Sequence, residues 1–471
     1  MKKIVLLALT GGIIISALVG GIMLSYTKEK PVKDYLVLSG TIDNFKRRDI
    51  KLEGFDFEKK ILFDKKTKTF IDTIQLNRDG YYKIVVNKRR FDIFLTKTED
   101  LKITLDYKNP DAITFEGVNG VTGKYFLDKK EIFAEEVITL RELLTKEETE
   151  FLSTLNSYKK SLSNLLTNSQ LPEAFVKKET KNIEYEYLRD LYFYPSYYPA
   201  LSGDEEYSPS ENFPSVSDKI NFNEGEDYQD FTYYQNIVKD EIQRLSDEKS
   251  TEDTDIALNY LETVHTEVSD SIVKNNLLFD QAQKGITYTD NLEGYYRKYM
   301  AFSSNKVQKD RMTEIYNSLK LTAKGMPCPK FENYENIEGG TTSMDDLLGS
   351  GKYLYIDVWA TWCSFCKRET PLLKRLELQY HDENIEFVSI SVDNINAKSK
   401  WKETIEQKEM GGVQLFADKS FGSDFIKKFA IKGLPRFILV DPEGNIISPN
   451  APRPSDGQKL IKMFEEIGIS I

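Results

Sequence analysis

The chain has 471 residues, more than one hydrophobic core usually holds, so we expect several domains. Hydrophobic residues make up 40% of the sequence and the formal net charge is −11. These values favour folded over disordered material and argue against nucleic-acid binding, which needs a basic surface. With only 2 histidines and 3 cysteines, the chain is poorly supplied for a histidine-rich metal site, a histidine-dependent catalytic site or a disulfide framework.

Residues 1–30 contain a long apolar run. Residues 4–24 carry no charged side chain and follow Lys2 and Lys3. The run is close to the ~20 residues that cross a bilayer as a helix. We expect an inner-membrane anchor, with a cleaved signal peptide and a soluble periplasmic protein as the alternative. Either prediction places the rest of the chain in the cell envelope.

Residues 34–118 have the pattern of a β domain. Short runs rich in Val, Ile, Phe and Tyr partly alternate with polar residues, and turn sequences such as NRDG and KNPD separate them. Several short strands at this spacing predict an all-β, sandwich-like or open-barrel domain. We find no constellation of residues typical of catalysis in this part of the sequence.

Residues 122–322 are dense in charge and poor in glycine, and their apolar residues recur at intervals of three and four. This periodicity predicts a mainly helical domain. Within it, residues 194–228 form an acidic, aromatic segment that contains proline and serine. Its composition favours an irregular loop over a partner-binding surface.

From residue 325 to residue 471, predicted strands and helices alternate. The runs KYLYIDVW and IEFVSISV are predicted strands, and each is followed by a helical pattern. The run RFILVD begins a predicted hairpin, and a final helix follows it. Together these elements predict an α/β domain with a mixed sheet and helices on both faces.

Two of the three cysteines lie in the stretch DVWATWCSFCKRETP, where a predicted strand meets a predicted helix. Cys363 begins the helix and Cys366 lies one turn further on. Unpaired backbone N–H groups at a helix start favour a thiolate, so Cys363 is the expected nucleophile and Cys366 the resolving thiol. The helix start and the flanking WATW predict that Cys363 is exposed. A zinc site would need four ligands, and only Cys328 and two distant histidines remain, so we expect no metal.

Two acidic residues accompany the cysteines. Asp357 stands in an otherwise apolar strand, where burial would raise its pKa towards neutrality, as a proton acceptor for Cys366 requires. Glu369 shares the helix face of both cysteines and could serve the same role. For Glu369, an exposed carboxylate without a function is an equal alternative.

The quoted stretch, together with GMPCPKF, SISVD, IKGLPRF and LVDPEGNII, resembles the thioredoxin superfamily. It is most similar to the TlpA/ResA-like thiol–disulfide oxidoreductases of the bacterial envelope. The resemblance covers residues 325–469 and implies a redox-active Cys363–Cys366 disulfide that acts on protein or peptide clients, without a cofactor. A membrane thiol donor would then re-reduce the pair. The two preceding regions are similar to the N-terminal extension of Bacteroidetes-type exported thioredoxin-like proteins.

The resemblance also assigns roles to single residues. It places Asp357 at the buried acid of thioredoxins and Glu369 at the acid that the ResA-like branch carries after its cysteines. Pro435 matches the cis-proline that faces the disulfide, where an X-Pro bond is needed because it accepts the cis form at low cost. Trp362 and Leu434 are expected to line the same client groove.

The chain departs from the family pattern between the two cysteines. Phe365 replaces the usual proline before Cys366, and Ser364 precedes it; these residues tune the redox potential, so the direction of electron flow does not follow from the resemblance. Cys328 is expected to be a buried free thiol. Our leading hypothesis is a protein-disulfide reductase. The alternatives are a disulfide oxidase or isomerase, a thiol peroxidase, and a binding scaffold with an accessory redox domain.

Overall fold

The computed structural model describes residues 33–46, 49–251, 254–289 and 291–470. The predicted membrane run at residues 4–24 lies outside these ranges. In the ranges themselves, no helix combines the length and the apolar character that crossing a bilayer would require. The chain divides into two compact units between Phe126 and Leu127. From Leu127 onwards, the helical region and the C-terminal α/β region therefore lie in one unit.

The first unit is built from strands, as predicted. Its strands are β1 (Leu36–Asp43), β2 (Ile50–Gly54), β3 (Phe57–Ile61), β4 (Phe63–Asp64), β5 (Thr69–Ile74), β6 (Gly80–Val86), β7 (Arg89–Leu95), β8 (Leu101–Asp106) and β9 (Asn109–Glu116). They form one sheet in the order β4-β5-β1-β8-β9 and a second in the order β3-β2-β6-β7. Burial alternates along β1, because successive side chains of a strand point to opposite faces of the sheet.

The middle region is helical. Its helices are α1 (Gly120–Glu136), α2 (Leu140–Leu144), α3 (Glu148–Asn168), α4 (Glu173–Ser202), α5 (Gly225–Asp230), α6 (Thr232–Glu248), α7 (Ile256–Glu267), α8 (Ser271–Gly285), α9 (Leu292–Phe302) and α10 (Lys306–Leu319). Helix α1 runs across the boundary between the two units.

The prediction of an irregular loop at residues 194–228 is wrong at both ends, because α4 continues to Ser202 and α5 begins at Gly225. Helix α4 continues although it contains Pro195 and Pro199, each of which removes a backbone hydrogen bond. Its buried face compensates for this loss. Tyr194 and Tyr198 are almost fully buried, and their hydroxyl groups donate to Lys146 O at 2.7 Å and Glu147 Oε1 at 2.9 Å.

The C-terminal region is the predicted α/β domain. Its elements are β10 (Tyr334–Asn336), β11 (Thr341–Thr342), α11 (Met344–Leu348), β12 (Tyr353–Trp359), α12 (Ser364–Gln379), β13 (Ile385–Ser391), α13 (Lys398–Lys408), β14 (Val413–Phe416), α14 (Asp424–Lys428), β15 (Arg436–Val440), β16 (Ile446–Ser448) and α15 (Gln458–Glu466). The strand order is β11-β10-β14-β13-β12-β15-β16. Strand β12 pairs with β13 in parallel and with β15 antiparallel, so the sheet is mixed.

Two apolar clusters cover the two faces of this sheet. One contains Trp401 of α13 together with Ile356 and Val358 of β12. The other contains Phe464 of α15 and Tyr355 of β12. This arrangement confirms the predicted helices on both faces. Helix α12, which carries the cysteines, begins shortly after the C-terminal end of β12.

Candidate redox site

Cys363 and Cys366 form a disulfide at the start of α12. Cys363 is the N-cap residue of this helix, and the backbone N–H of Cys366 donates to Cys363 Sγ at 3.0 Å. In the reduced form this N–H group and the positive end of the helix dipole would favour a thiolate on Cys363. The local geometry therefore distinguishes the two sulfur atoms, because only the first one caps the helix.

The prediction that Cys363 is exposed is wrong for the disulfide form. Cys363 is only 5% exposed and Cys366 3% exposed, because both sulfur atoms pack into the apolar cluster on one face of the sheet. The exposed side chains are the neighbouring aromatic residues, Trp362 at 57% and Phe365 at 56%. The accessible side chains next to the two cysteines in sequence are therefore aromatic.

Asp393 fixes the turn between β12 and α12, and sequence reasoning missed it. It is fully buried, and its carboxylate accepts hydrogen bonds from Thr361 N at 2.8 Å, Thr361 Oγ1 at 2.9 Å and Ser391 Oγ at 2.9 Å. Three donors offset the cost of burying the charge and hold the backbone two residues before Cys363. The available signal was an acid directly after the buried run SISV.

Asp357 lies on β12 and is 6% exposed. In the part of the chain that the structure describes, its Oδ1 has no hydrogen-bond partner. Burial raises the pKa of Asp357 well above its ordinary value, and the charges of Glu369 and Glu377 raise it further. Such a carboxyl group keeps its proton to a higher pH than an exposed aspartate, which suits a group that exchanges a proton with a thiol.

Glu369 is also buried, at 7% exposed, so an exposed surface carboxylate is excluded. Its Oε2 accepts a hydrogen bond from the backbone N–H of Ser455 at 3.0 Å, and its Oε1 accepts one from Ser455 Oγ at 2.7 Å. Ser455 belongs to the short turn Pro454–Asp456 before α15. The two residues are 86 positions apart, so no local sequence signal could have paired them.

Glu377 is a third acid of this group that sequence reasoning missed. It lies on α12, two turns after Glu369, and burial raises its pKa to about 7. Its charge acts on Asp357 in the same direction as that of Glu369. The disulfide helix thus carries two carboxyl groups that are electrostatically coupled to a third one on the central strand.

The predicted groove residues occupy different environments. The Leu434–Pro435 peptide bond is cis, and Leu434 packs against the apolar cluster that contains both cysteines. Trp362 is exposed, with its ring centroid 6.4 Å from that of Phe421. The structure thus brings Leu434 to the cysteines and leaves Trp362 available at the surface.

Cys328 is a buried free thiol, 5% exposed, in the same apolar cluster as the disulfide. Burial raises its pKa to about 12, so the thiol stays protonated at neutral pH. This places Cys328 in the core rather than in the redox chemistry.

Known proteins resemble this domain. Residues 351–446 match the family model Thioredoxin_8, described as thioredoxin-like. A thiol-disulfide oxidoreductase ResA from Bacillus thuringiensis is 26% identical over 123 residues, which are 26% of this chain and 66% of the relative, slightly less than two thirds. The C-terminal domain belongs to the thioredoxin-like thiol–disulfide oxidoreductases. This confirms the family resemblance carried by the cysteine motif.

Two solved structures are similar to a part of this chain. The thioredoxin domain of a thiol-disulfide oxidoreductase from Bacteroides vulgatus is 29% identical and covers 31% of this chain and 99% of that one, with a TM-score of 0.28. A thiol:disulfide interchange protein from a Bacteroides species is 31% identical and covers 30% of this chain and 86% of that one, with a TM-score of 0.26.

Proposed function

We propose that this protein reduces disulfide bonds of other proteins in the cell envelope. The Cys363 thiolate attacks one sulfur atom of the client disulfide, a mixed disulfide forms, and the first client thiolate leaves. Cys366 then attacks Cys363 Sγ, the second client thiolate leaves, and the Cys363–Cys366 disulfide forms. Two electrons pass from the dithiol to the client, and each released thiolate takes up one proton. The hydrogen bond from Cys366 N–H to Cys363 Sγ is the observation that carries this order of attack.

We assign the proton transfer to the buried acids. Asp357 accepts the proton of Cys366 as that thiol attacks, and it later returns the proton to a leaving thiolate. The raised pKa of Asp357 supports this role, because a general base works best when its pKa is near the working pH, which lies above the ordinary range of an aspartate. Glu369, held by Ser455, serves as the second acid on the same helix as the cysteines.

Client binding is assigned to three residues around the disulfide. Trp362 offers an exposed aromatic surface next to Cys363, and aromatic side chains supply much of the energy of protein recognition. Leu434 and Pro435 supply the backbone along which an extended client segment lies. The place of Leu434 against the cysteine cluster supports this assignment.

The proposed cycle needs a location and a source of electrons. We propose that residues 4–24 anchor the chain in the inner membrane and that the thioredoxin-like domain works in the periplasm. The uncharged run after Lys2 and Lys3 supports the anchor. A membrane thiol donor returns two electrons and two protons to the Cys363–Cys366 disulfide after each turnover.

Trapping of the mixed disulfide tests the assigned roles. In a Cys328→Ser background, which removes the third thiol, the reduced Cys366→Ser variant should accumulate mixed disulfides with disulfide-containing clients on non-reducing gels. Cys363→Ser should not accumulate them, because Cys366 lacks the helix-capping position. Equal trapping by both variants, or by neither, would show that the assignment is wrong.

The redox potential of the pair tests the direction of electron flow. Equilibration with thiol buffers should give a value near that of thioredoxin, about −270 mV, if the protein is a reductant. A value near about −120 mV would instead indicate an oxidase. Peroxide consumption as fast as reduction of insulin disulfides would favour the peroxidase alternative.

A further inference from the structure

A segment of the helical region lies against the polypeptide that surrounds Pro435. The segment is the connection between α8 and α9 and includes Thr287 and Tyr288. Arg436, which directly follows Pro435, donates from Nη1 to Thr287 O at 2.6 Å. Its guanidinium lies over the Tyr288 ring, 4.4 Å from the ring centroid. Asn450 Nδ2 donates to Tyr288 O at 3.1 Å, so residues of the thioredoxin-like domain hold the segment at several points.

The contact with Arg436 is part of the folded core. Arg436 is 2% exposed, and within the described residues no carboxylate lies at ion-pairing distance from it. Its charge is compensated by Thr287 O, by Pro449 O at 3.3 Å and by the Tyr288 ring. A buried charge is stabilised by such partners, and the helical segment supplies two of these three, Thr287 O and the Tyr288 ring.

The Tyr288 hydroxyl lies beside the backbone just before Pro435. A Cβ atom built on Gly433 would be 3.0 Å from Tyr288 Oη. The next residue, Leu434, packs against the cluster that contains Cys363. Tyr288 is nevertheless 38% exposed, so part of its side chain remains accessible. The helical region thus presents a tyrosine beside the stretch of backbone to which we assign client binding.

We propose that Tyr288 is a specificity-determining residue of the client groove, through which the helical region selects polypeptide disulfides over small ones. This rests on the proposed function. An extended client segment that lies along Leu434 and Pro435 would meet Tyr288 beyond Gly433. The ring is held in place by Arg436, so contact with a client costs little side-chain entropy. A small disulfide fills only the space next to the sulfur atoms and gains nothing from this residue.

The test compares a protein substrate with a small one in the full chain. Reduction of insulin and of oxidised glutathione is measured for wild type, Tyr288→Ala, Tyr288→Phe and, as a control, Tyr197→Ala. Tyr197 is an exposed tyrosine of α4, at 48%. Tyr288→Ala should lower kcat/KM for insulin by about fivefold or more, mainly through KM, with much less effect on glutathione. Tyr288→Phe keeps the ring and should retain most of the insulin activity.

An equal loss on both substrates would show that Tyr288 only supports the fold, and no loss on insulin would also overturn the proposal. A wild type that reduces neither substrate would refute the proposed function instead, so the two failures are distinguishable.

Photocrosslinking covers the case in which Tyr288→Ala does not fold. A photoreactive phenylalanine analogue at position 288, in the Cys366→Ser chain, retains an aromatic ring at that position. After a mixed disulfide with insulin has formed, illumination should crosslink insulin to position 288 and not to the same analogue at position 197. Absence of the crosslink at 288 in a chain that forms the mixed disulfide would overturn the proposal.

Discussion

Replacement of Asp357 by asparagine should stabilise the oxidised thioredoxin-like domain relative to wild type, by a difference in unfolding free energy that grows as the pH rises. Burial raises the pKa of Asp357 well above its ordinary value of 3.8, with added effects of Glu369 and Glu377. When the pH rises past the unfolded value, the unfolded chain releases this proton while the folded chain still holds it. The contribution of Asp357 to wild-type stability is therefore fully present below the unfolded pKa and is lost as the pH rises towards the folded pKa. Asparagine has nearly the same shape and does not titrate.

The size of the effect follows from the proton linkage. Each pH unit between the unfolded and folded pKa values of Asp357 costs wild type about 1.4 kcal/mol of unfolding free energy. The advantage of Asp357→Asn should grow by up to this amount per unit and then level off once the folded carboxyl group ionises. The absolute difference at one pH is less informative, because the buried amide has its own cost.

The assay can observe this domain selectively. All 3 tryptophans of the chain, Trp359, Trp362 and Trp401, lie in the thioredoxin-like domain. Denaturant unfolding followed by tryptophan fluorescence therefore reports on this part of a multidomain chain, for which one global unfolding free energy is poorly defined. The protein is kept oxidised, because cysteine thiols would add their own titration. A series from about pH 5 to about pH 8 covers the range above the ordinary aspartate pKa.

Asp382→Asn provides the matched control, because its side chain is 99% exposed. It should follow wild type within about 0.5 kcal/mol at each pH. If the difference between Asp357→Asn and wild type stays constant across the series, Asp357 does not have a raised pKa in the folded state. Our reasoning about its burial, and its role as proton acceptor, would then be refuted.

Three further predictions concern the surroundings of the site. Ser455→Ala removes one hydrogen bond to Glu369, so it should lower the unfolding free energy by about 1.5–3 kcal/mol and shift the pH profile of Cys363 alkylation. Ser455→Thr keeps the hydroxyl group and should resemble wild type. Identical behaviour of the Ala and Thr variants would argue against a positioning role for Ser455. Iodoacetamide at neutral pH should label Cys363 of the reduced native chain and spare Cys328, whose burial raises its pKa to about 12; mass spectrometry showing equal labelling would contradict this. Arg436→Ala should destabilise the domain by about 2–4 kcal/mol in the tryptophan assay, because it opens a cavity and leaves the carbonyl groups of Thr287 and Pro449 unpaired. An unchanged unfolding midpoint would show that the contact between Arg436 and the helical segment does not stabilise the domain.

Local features of the sequence predicted the secondary structure around the two cysteines well. Hydrophobic periodicity over a few residues predicts the strand-to-helix junction at DVWATWCSFCKRETP, and this junction places Cys363 at the start of a helix. An acid such as Asp357 in an apolar strand has no solvated face, so its burial also follows from the pattern along one strand. The division into β-rich, helical and α/β regions rests on the same short-range signals.

Local pattern was insufficient where burial across the fold competed with it. The composition of residues 194–228 predicted an irregular loop, but a buried aromatic face keeps α4 intact to Ser202. The helix start and the flanking WATW predicted an exposed Cys363, but the disulfide packs into the apolar cluster on one face of the sheet. In both cases the decisive term is contact with residues distant in sequence, which composition and periodicity do not contain.

The sequence by itself determined the buried strand that holds Asp357 and the helix that begins at Cys363, because helix capping and strand burial act over a few neighbouring residues. Only the tertiary structure decided how these residues are held. Ser455 reaches Glu369 across 86 positions, and Thr287 meets Arg436 across 149. Such pairs form because hydrogen bonds offset part of the cost of burying a polar or charged group, and the partner can come from any element that folding brings near.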